Sequence, residues 1–289
     1  MSEKNAQPLD ADEIPLGSDL DQWQVALQWA ELKKRAGARS DRERIRLRDL
    51  EQIAISAVLR KARSILGAVV RPEYFATEEL TRFSTVPSAA ELDIEESFEH
   101  GFERLFFEVR KYRDEPLVLV MDTSLSMTGE KLAWAAVALS VVALQFEQSR
   151  LAIVTFQNDA QVLKDWNEEL SIERVLERFL DLEVEGYTHL EAGLEKALEM
   201  VRAMMGKSRG RRVPALLLSD GKYTAGRDPR VIAPLFPRLV VLKIGQDTTS
   251  LELCRDLALR GHGKMLEVPD EMALPRGVAS AAREILRLS

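Results

Sequence analysis

Two different hydrophobic rhythms divide the chain. From Leu20 to Leu66 apolar residues recur at helical intervals, and "LDQWQVALQWAELKKR" and "RIRLRDLEQIAISAVLRKARSIL" predict two helices broken near Gly37 and Ser40. Residues 68–90, with Pro72 and Pro87, show no clear period and predict connecting structure. "ELDIEESFEHGFERLFFEVRKYRDE" (91–115) predicts a short helix leading into an alternating strand, "RLFFEVRKY". From Pro116 the rhythm changes. "PLVLVM" is apolar without alternation, as expected of a parallel strand covered on both faces. The helix predicted over 129–147 is apolar nearly all the way round, which requires burial on every side.

Strands are then predicted at 151–157, 213–219, 239–245 and, shorter, within "GKMLEV" near 263–268, with "AQVLKDW" (160–166) forming a hairpin beside the first of these. Helices are predicted at 171–181, 189–206, 228–236 (short), "SLELCRDLAL", and over the last fifteen or so residues. Strands alternating with helices imply an α/β fold: a doubly wound, mostly parallel sheet with right-handed crossovers and an N-terminal helical extension. The expected divisions are an acidic disordered tail over 1–20, a helical region over 21–90, a connecting segment over 91–115, and the sheet domain over 116–289.

Composition narrows the class. Hydrophobic residues at 46% and charged residues at 30% describe a globular chain. Its 47 acidic against 40 basic residues argue weakly against nucleic acid as the main partner. A single cysteine, Cys254, excludes an internal disulfide and a cysteine-based zinc site, and reads as a small buried hydrophobe on a helix. The N-terminal stretch lacks the apolar core of a signal peptide, and "LAWAAVALSVVALQF" is short for a membrane span, so a cytoplasmic protein is expected. The basic cluster from Lys33 to Arg48 reads as a solvated helix face, partly paired with its own acids, rather than a docking surface.

The candidate chemistry lies where strands end. In doubly wound sheets ligands collect outside the carboxyl ends of the strands. Three loops leave that edge with oxygen-bearing side chains: "DTSLSM" with Asp122, Ser124 and Ser126; "EGYTHLEAG" with Thr188; and "LLLSDGKYTAG" with Asp220, where Gly221 permits a sharp exit. Alternate residues leaving a strand can present hydroxyls to one side. Each residue singly is equally a helix cap or turn former: Thr128 could cap the helix at 129, and Thr188 the one at 189. The five in this order and context point instead to a site for a hard divalent cation, which prefers oxygen ligands.

In these five positions the sequence resembles the von Willebrand factor A fold with its metal-ion-dependent adhesion site: Asp-x-Ser-x-Ser, a distant Thr and a distant Asp, over about residues 115–289. The resemblance implies a Mg²⁺ site (Mn²⁺ or Ca²⁺ as alternatives) in which the aspartates act mainly through waters. A partner's Asp or Glu then completes the coordination, which is binding and not catalysis. Leu125 stands where that pattern often has Gly, Tyr187 stands before the Thr where Gly is frequent, and Lys222 follows Asp-Gly. With His189 these form the expected rim of the site, Lys222 either pairing with an incoming carboxylate or extending into water.

The block "ELDIEESFEHGFERLFFEVRKYRDEPLVLVMDTSLSM" is similar to the entry of the A domain in proteins that work beside AAA+ ATPases of the MoxR group, the CoxE-like and ViaA-like ones in particular. This implies a non-enzymatic chaperone-type adaptor between such an ATPase and a client protein. Alternatives are a Mg²⁺-dependent hydrolase of phosphate esters and a scaffold bound through its N-terminal helices. "TGEKL" and "GHGK" lack phosphate-loop spacing, no G-x-S-x-G surrounds Ser124 or Ser126, and an Asp-x-Asp phosphatase signature is absent because position 124 is Ser.

Overall fold

The computed structural model describes residues 22–34, 41–67, 73–79, 90–112, 115–124, 129–146, 148–182, 186–207 and 212–287. The acidic tail, the helix break near Gly37 and Ser40, and the side chains of the basic cluster up to Arg46 lie outside the described residues; Arg48 is exposed.

Six strands form the central sheet: β4 (Leu117–Asp122), β5 (Leu151–Phe156), β6 (Ala160–Lys164), β7 (Ala215–Ser219), β8 (Leu239–Ile244) and β9 (Met265–Val268), in the spatial order β6-β5-β4-β7-β8-β9. All neighbours are parallel except β6, which turns back along β5 as the expected hairpin. The α/β, mostly parallel sheet read from the sequence is the observed architecture.

Pleat periodicity shows why these strands carry no polar alternation. Leu117, Leu119 and Met121 of β4 join one apolar cluster with Leu216, Leu218, Val240 and Leu242. Val118, Val120, Val154, Leu217 and Val241 join the cluster on the opposite face. Both faces are roofed by helix, so every position must be apolar. The second face is covered by α6 (Leu190–Lys207) and α7 (Leu251–Arg260).

The first face is covered by α4 (Glu130–Gln145), α5 (Ile172–Leu180) and α8 (Leu274–Arg287). All but three of α4's sixteen residues are buried. Its far side is closed by α1 (Gln22–Lys34) and α2 (Asp41–Leu66), whose Trp29, Leu50, Ile55 and Val58 belong to the same cluster as Val137 and Val141. Trp23 packs against Trp134 of α4 at 4.7 Å between ring centroids, with the Lys61 ammonium 5.6 Å from both rings. The N-terminal helices are thus the outer wall that an all-round apolar α4 requires.

Two expectations need correction. Residues 68–90 were expected to be connecting structure, but Glu73–Glu79 forms β1, which pairs antiparallel with β3 (Phe106–Tyr112); β3 also pairs with the three-residue β2 (Glu91–Asp93) ahead of α3 (Ile94–Glu99). Thr77, Glu78 and Glu79 are all exposed, and the pairing of β1 comes from a segment some thirty residues later. The short helix expected at 228–236 is instead two 3₁₀ turns, Pro229–Val231 and Ala233–Leu235. Pro229 follows the cap Asp228, where proline is tolerated, but Pro234 lacks the N–H that an α-helical ladder over this span needs, so tight turns form instead.

If α1 and α2 are part of one cooperative core, Trp29→Ala should cost about 3–5 kcal/mol in urea unfolding. Near-ultraviolet and far-ultraviolet transitions should remain coincident. Two separated transitions would mean that the helices fold apart from the sheet.

Candidate functional site at the carboxyl edge of the sheet

Asp122 ends β4, and its side chain points to the α6 face, as the even positions of that strand do. It is 1% exposed. Oδ1 accepts from the Ser124 backbone N–H at 3.0 Å, and Oδ2 accepts from the Ser219 hydroxyl at 2.9 Å. These donors are neutral, and no Lys or Arg among the described residues pairs with it. Burial pushes the carboxyl up to about 6, opposed by hydrogen bonds from Ser124 and Ser219 and reinforced by the negative charge of Asp220.

Four loops at this edge are tied to one another by hydrogen bonds. The exit of β4 is fixed to β5, because Thr123 donates both its backbone N–H (2.9 Å) and its hydroxyl (3.1 Å) to the Phe156 carbonyl. The exit of β5 is fixed to the loop before α6. His189 N–H donates to the Gln157 carbonyl at 2.7 Å, and Tyr187 N–H to Asn158 Oδ1 at 3.0 Å. That loop is fixed to the exit of β7: Thr188 N–H donates to Thr224 Oγ1 at 3.0 Å, and the Thr188 carbonyl accepts from the Thr224 N–H at 3.0 Å. Ser219 then closes the ring back onto Asp122.

Within this ring Ser124 is 1% and Thr188 6% exposed, while Asp220 is half-buried. The backbone of Thr188 is bonded on both sides, yet its hydroxyl takes no hydrogen bond among the described residues, so it does not cap α6. Asp220 Oδ1 accepts from Lys222 N–H at 3.0 Å, and its carbonyl accepts from the Ser250 hydroxyl at 2.6 Å. Gly221 makes the sharp exit with φ of +76°, and a Cβ there would stand 2.4 Å from Cys254 Sγ. Cys254 is buried on α7, as expected, and burial pushes its thiol up to about 12.

Ser126 and Leu125, and the alternative cap Thr128, lie outside the described residues. Tyr187 is exposed at the rim, 62% accessible. His189 is half-buried just before α6, with Nδ1 3.2 Å from the Asn158 carbonyl and Nε2 3.7 Å from Glu191. It bridges the loop after β5 and the start of α6. Lys222 differs from both expected alternatives: its ammonium is held by Asp247 at 2.7 Å, because the loop after β8 runs beside the loop after β7. The pairing holds the Asp247 carboxyl well below the usual range.

Sequence reasoning missed Thr123, Asn158, Ser219 and Thr224, which position the loops. Only Ser219 left a signal, as the residue preceding Asp-Gly at a strand end. Lys243, buried beside Ser219 on β8, was also unforeseen; its ammonium donates to the Gly245 carbonyl at 2.7 Å.

The donor set fits a hard cation: a buried carboxylate met by neutral donors, a second carboxylate close enough to raise its pKa, and a hydroxyl left unused. Among the described residues no cluster of three or more His, Cys, Asp and Glu could hold a metal.

Residues 117–222, from the start of β4 to Lys222, match the model of the von Willebrand factor type A domain. No curated protein sequence matches the chain. Solved structures similar to it include proximal thread matrix protein 1 from the mussel byssus (16% identity, TM-score 0.49, covering 58% of this chain and 47% of that one). The chain spans about half the length of that protein, which has also been solved with zinc in its MIDAS motif. A von Willebrand factor type A structure from Catenulispora acidiphila is 15% identical with a TM-score of 0.48, covering 76% of this chain and 51% of that one. The conserved hypothetical protein BatB from Bacteroides thetaiotaomicron is 14% identical with a TM-score of 0.45, covering 61% and 100%.

Charge burial makes the metal-free site testable. The folded carboxyl of Asp122, near 6, lies above its unfolded value of 3.8. The associated stability is therefore full below about pH 3.8 and is lost as pH rises through 6. With chelator at pH 7.5, Asp122→Asn should be more stable than wild type by up to about 3 kcal/mol. The gap should close as pH falls from 6 toward 4, read by urea midpoints across pH; a constant gap would show that Asp122 is not the titrating group.

Proposed function

We propose that this chain is a non-enzymatic, metal-dependent protein-binding module. Asp122, Ser124, Ser126, Thr188 and Asp220 would hold a divalent cation, for which small neutral oxygen ligands favour Mg²⁺. The bound cation supplies a Lewis-acidic point at which a partner's Asp or Glu is captured. The observation that carries this reading is Asp122: a carboxylate 1% exposed, held by neutral donors within a rigid ring of loops. Hydroxyls leave most of the ion's charge uncompensated by the chain, so an incoming acid is attracted strongly. Tyr187 lies exposed at the rim and would meet that partner.

The partner we propose is an AAA+ ATPase of the MoxR group, with the chain acting as adaptor for a client protein in the cytoplasm. The similarity of residues 91–127 to the entry of the A domain in such ATPase-associated proteins supports this reading. Among the described residues no helix is long and apolar enough to cross a membrane.

Mg²⁺ at about a hundredfold excess over its Kd should raise stability by about 2.7 kcal/mol, followed as a thermal shift, with Mn²⁺, Ca²⁺ and Zn²⁺ titrated in parallel. Thr188→Ala should weaken the ion at least about tenfold, since it removes a hydroxyl that takes no hydrogen bond among the described residues. Binding to a MoxR-type ATPase should vanish with EDTA or Asp122→Ala. Binding indifferent to both would overturn the metal-bridged reading, and turnover of a phosphate ester abolished by Ser124→Ala would replace it with a hydrolase.

A further inference from the structure

The chain also exposes apolar surface on the segment that precedes β4, outside the loops of the candidate metal site. Leu92, Ile94, Phe98, Phe102 and Leu105 are 43%, 64%, 71%, 48% and 37% accessible. Ile94 and Phe98 stand four residues apart on one face of α3. The Phe102 ring meets that of Phe98 edge-on at 6.0 Å. The register that pairs Asp93 with Phe106 brings Ile94 alongside Leu105.

These side chains are held out by built structure. Asp93 caps α3 by accepting from Glu96 N–H. Buried Ser97 accepts from Phe106 N–H at 2.9 Å, locking the helix to β3. Behind the helix, Gly101 and Phe102 occupy the left-handed region in succession, φ +62° and +57°, with Phe102 N–H donating to the Ser97 carbonyl at 2.9 Å. A bulky residue at positive φ is strained, and here the strained residue places a phenyl ring on the surface. Contiguous exposed apolar side chains of this kind mark interaction surfaces.

Charge selects the occupant. Residues 90–108 contain seven acids against one arginine. Glu91, Glu95, Glu99, Glu103 and Glu108 are exposed, and Arg104 faces Glu79 at 3.6 Å. Among the described residues the rim is thus predominantly negative, which repels an acidic segment or an anionic membrane and attracts a cationic one. β2 is only three residues long, too short for strand addition to hold a partner. Apolar groups spread over a helix and a turn suit the apolar stripe of another helix.

The geometry points to α3 and the turn after it as a second docking surface, one that takes a basic amphipathic helix of a protein partner and works independently of the metal site.

The test uses the full chain and a synthetic Lys/Leu amphipathic peptide of about 16 residues, with a Glu/Leu peptide of the same apolar pattern as control. The basic peptide should bind in EDTA and in the Asp122→Ala background, and should weaken as NaCl rises from about 50 to about 500 mM. The acidic peptide should not bind. Phe98→Ser, which empties an exposed position, should raise Kd at least about tenfold. Phe102→Gly should do the same without lowering Tm, because it relieves the positive φ. Charge reversal at Glu95, Glu99 and Glu103 should invert the preference between the two peptides. Equal affinity for both peptides, or wild-type affinity in Phe98→Ser, would overturn the proposal. So would a wild-type dimer that Phe98→Ser converts to monomer, or binding to phosphatidylcholine vesicles that the same variant abolishes. Because every arm runs without metal, failure here leaves the metal-bridge reading standing, and the converse holds.

Discussion

A carboxylate inside a protein is costly unless something compensates it, and among the described residues Asp122 is compensated by a backbone N–H and hydroxyl groups from its own loop and the neighbouring strand, without a cation. The rest of the carboxyl edge follows from that constraint. Ser219 must face Asp122, which needs β7 beside β4. The loop before α6, which carries Thr188, is pinned to the exit of β5 on one side and to Thr224 on the other. The ring of hydrogen bonds fixes positions without supplying positive charge.

The scaffold that holds this ring is unusual in how much it spends on one helix. α4 follows the metal loop directly and is buried on nearly every side. A helix of that composition would be exposed on the outside of a two-layer cover, so the chain adds α1 and α2 as a further layer. The N-terminal extension is therefore part of the condition for folding the site. Its tryptophan–lysine–tryptophan contact marks the seam between the layers.

Much of this was legible in the sequence because the physics was local. Unbroken apolar runs can only be strands covered twice, and "PLVLVM", "LAIVTF" and "LVVLKI" behave that way. Asp122, Ser124, Thr188 and Asp220 stood out because polar oxygen at strand ends interrupts those runs. What was illegible depended on neighbours distant in sequence. β1 exists because β3 pairs with it, and nothing in "EYFATEE" records that. Lys222 reads as an unattached cation until β8 brings Asp247 alongside. Thr224 and Asn158 sit in loops whose side chains carry no pattern, and only the crossing of those loops gives them a task. The prolines at 229 and 234 were visible, and their effect on the helix expected there was underweighted.

The strand order has a mechanical consequence. β4 and β7, which carry Asp122 and Ser219 at their ends, lie at the middle of the sheet, each laddered to parallel strands on both sides. A load applied at the site along the strand direction would be borne in shear, with a whole row of backbone bonds resisting together. Peeling bonds one at a time is possible only at the outer strands β6 and β9. The carboxyl edge at Asp122 and Ser219 is thus anchored in the part of the sheet that is hardest to pull apart.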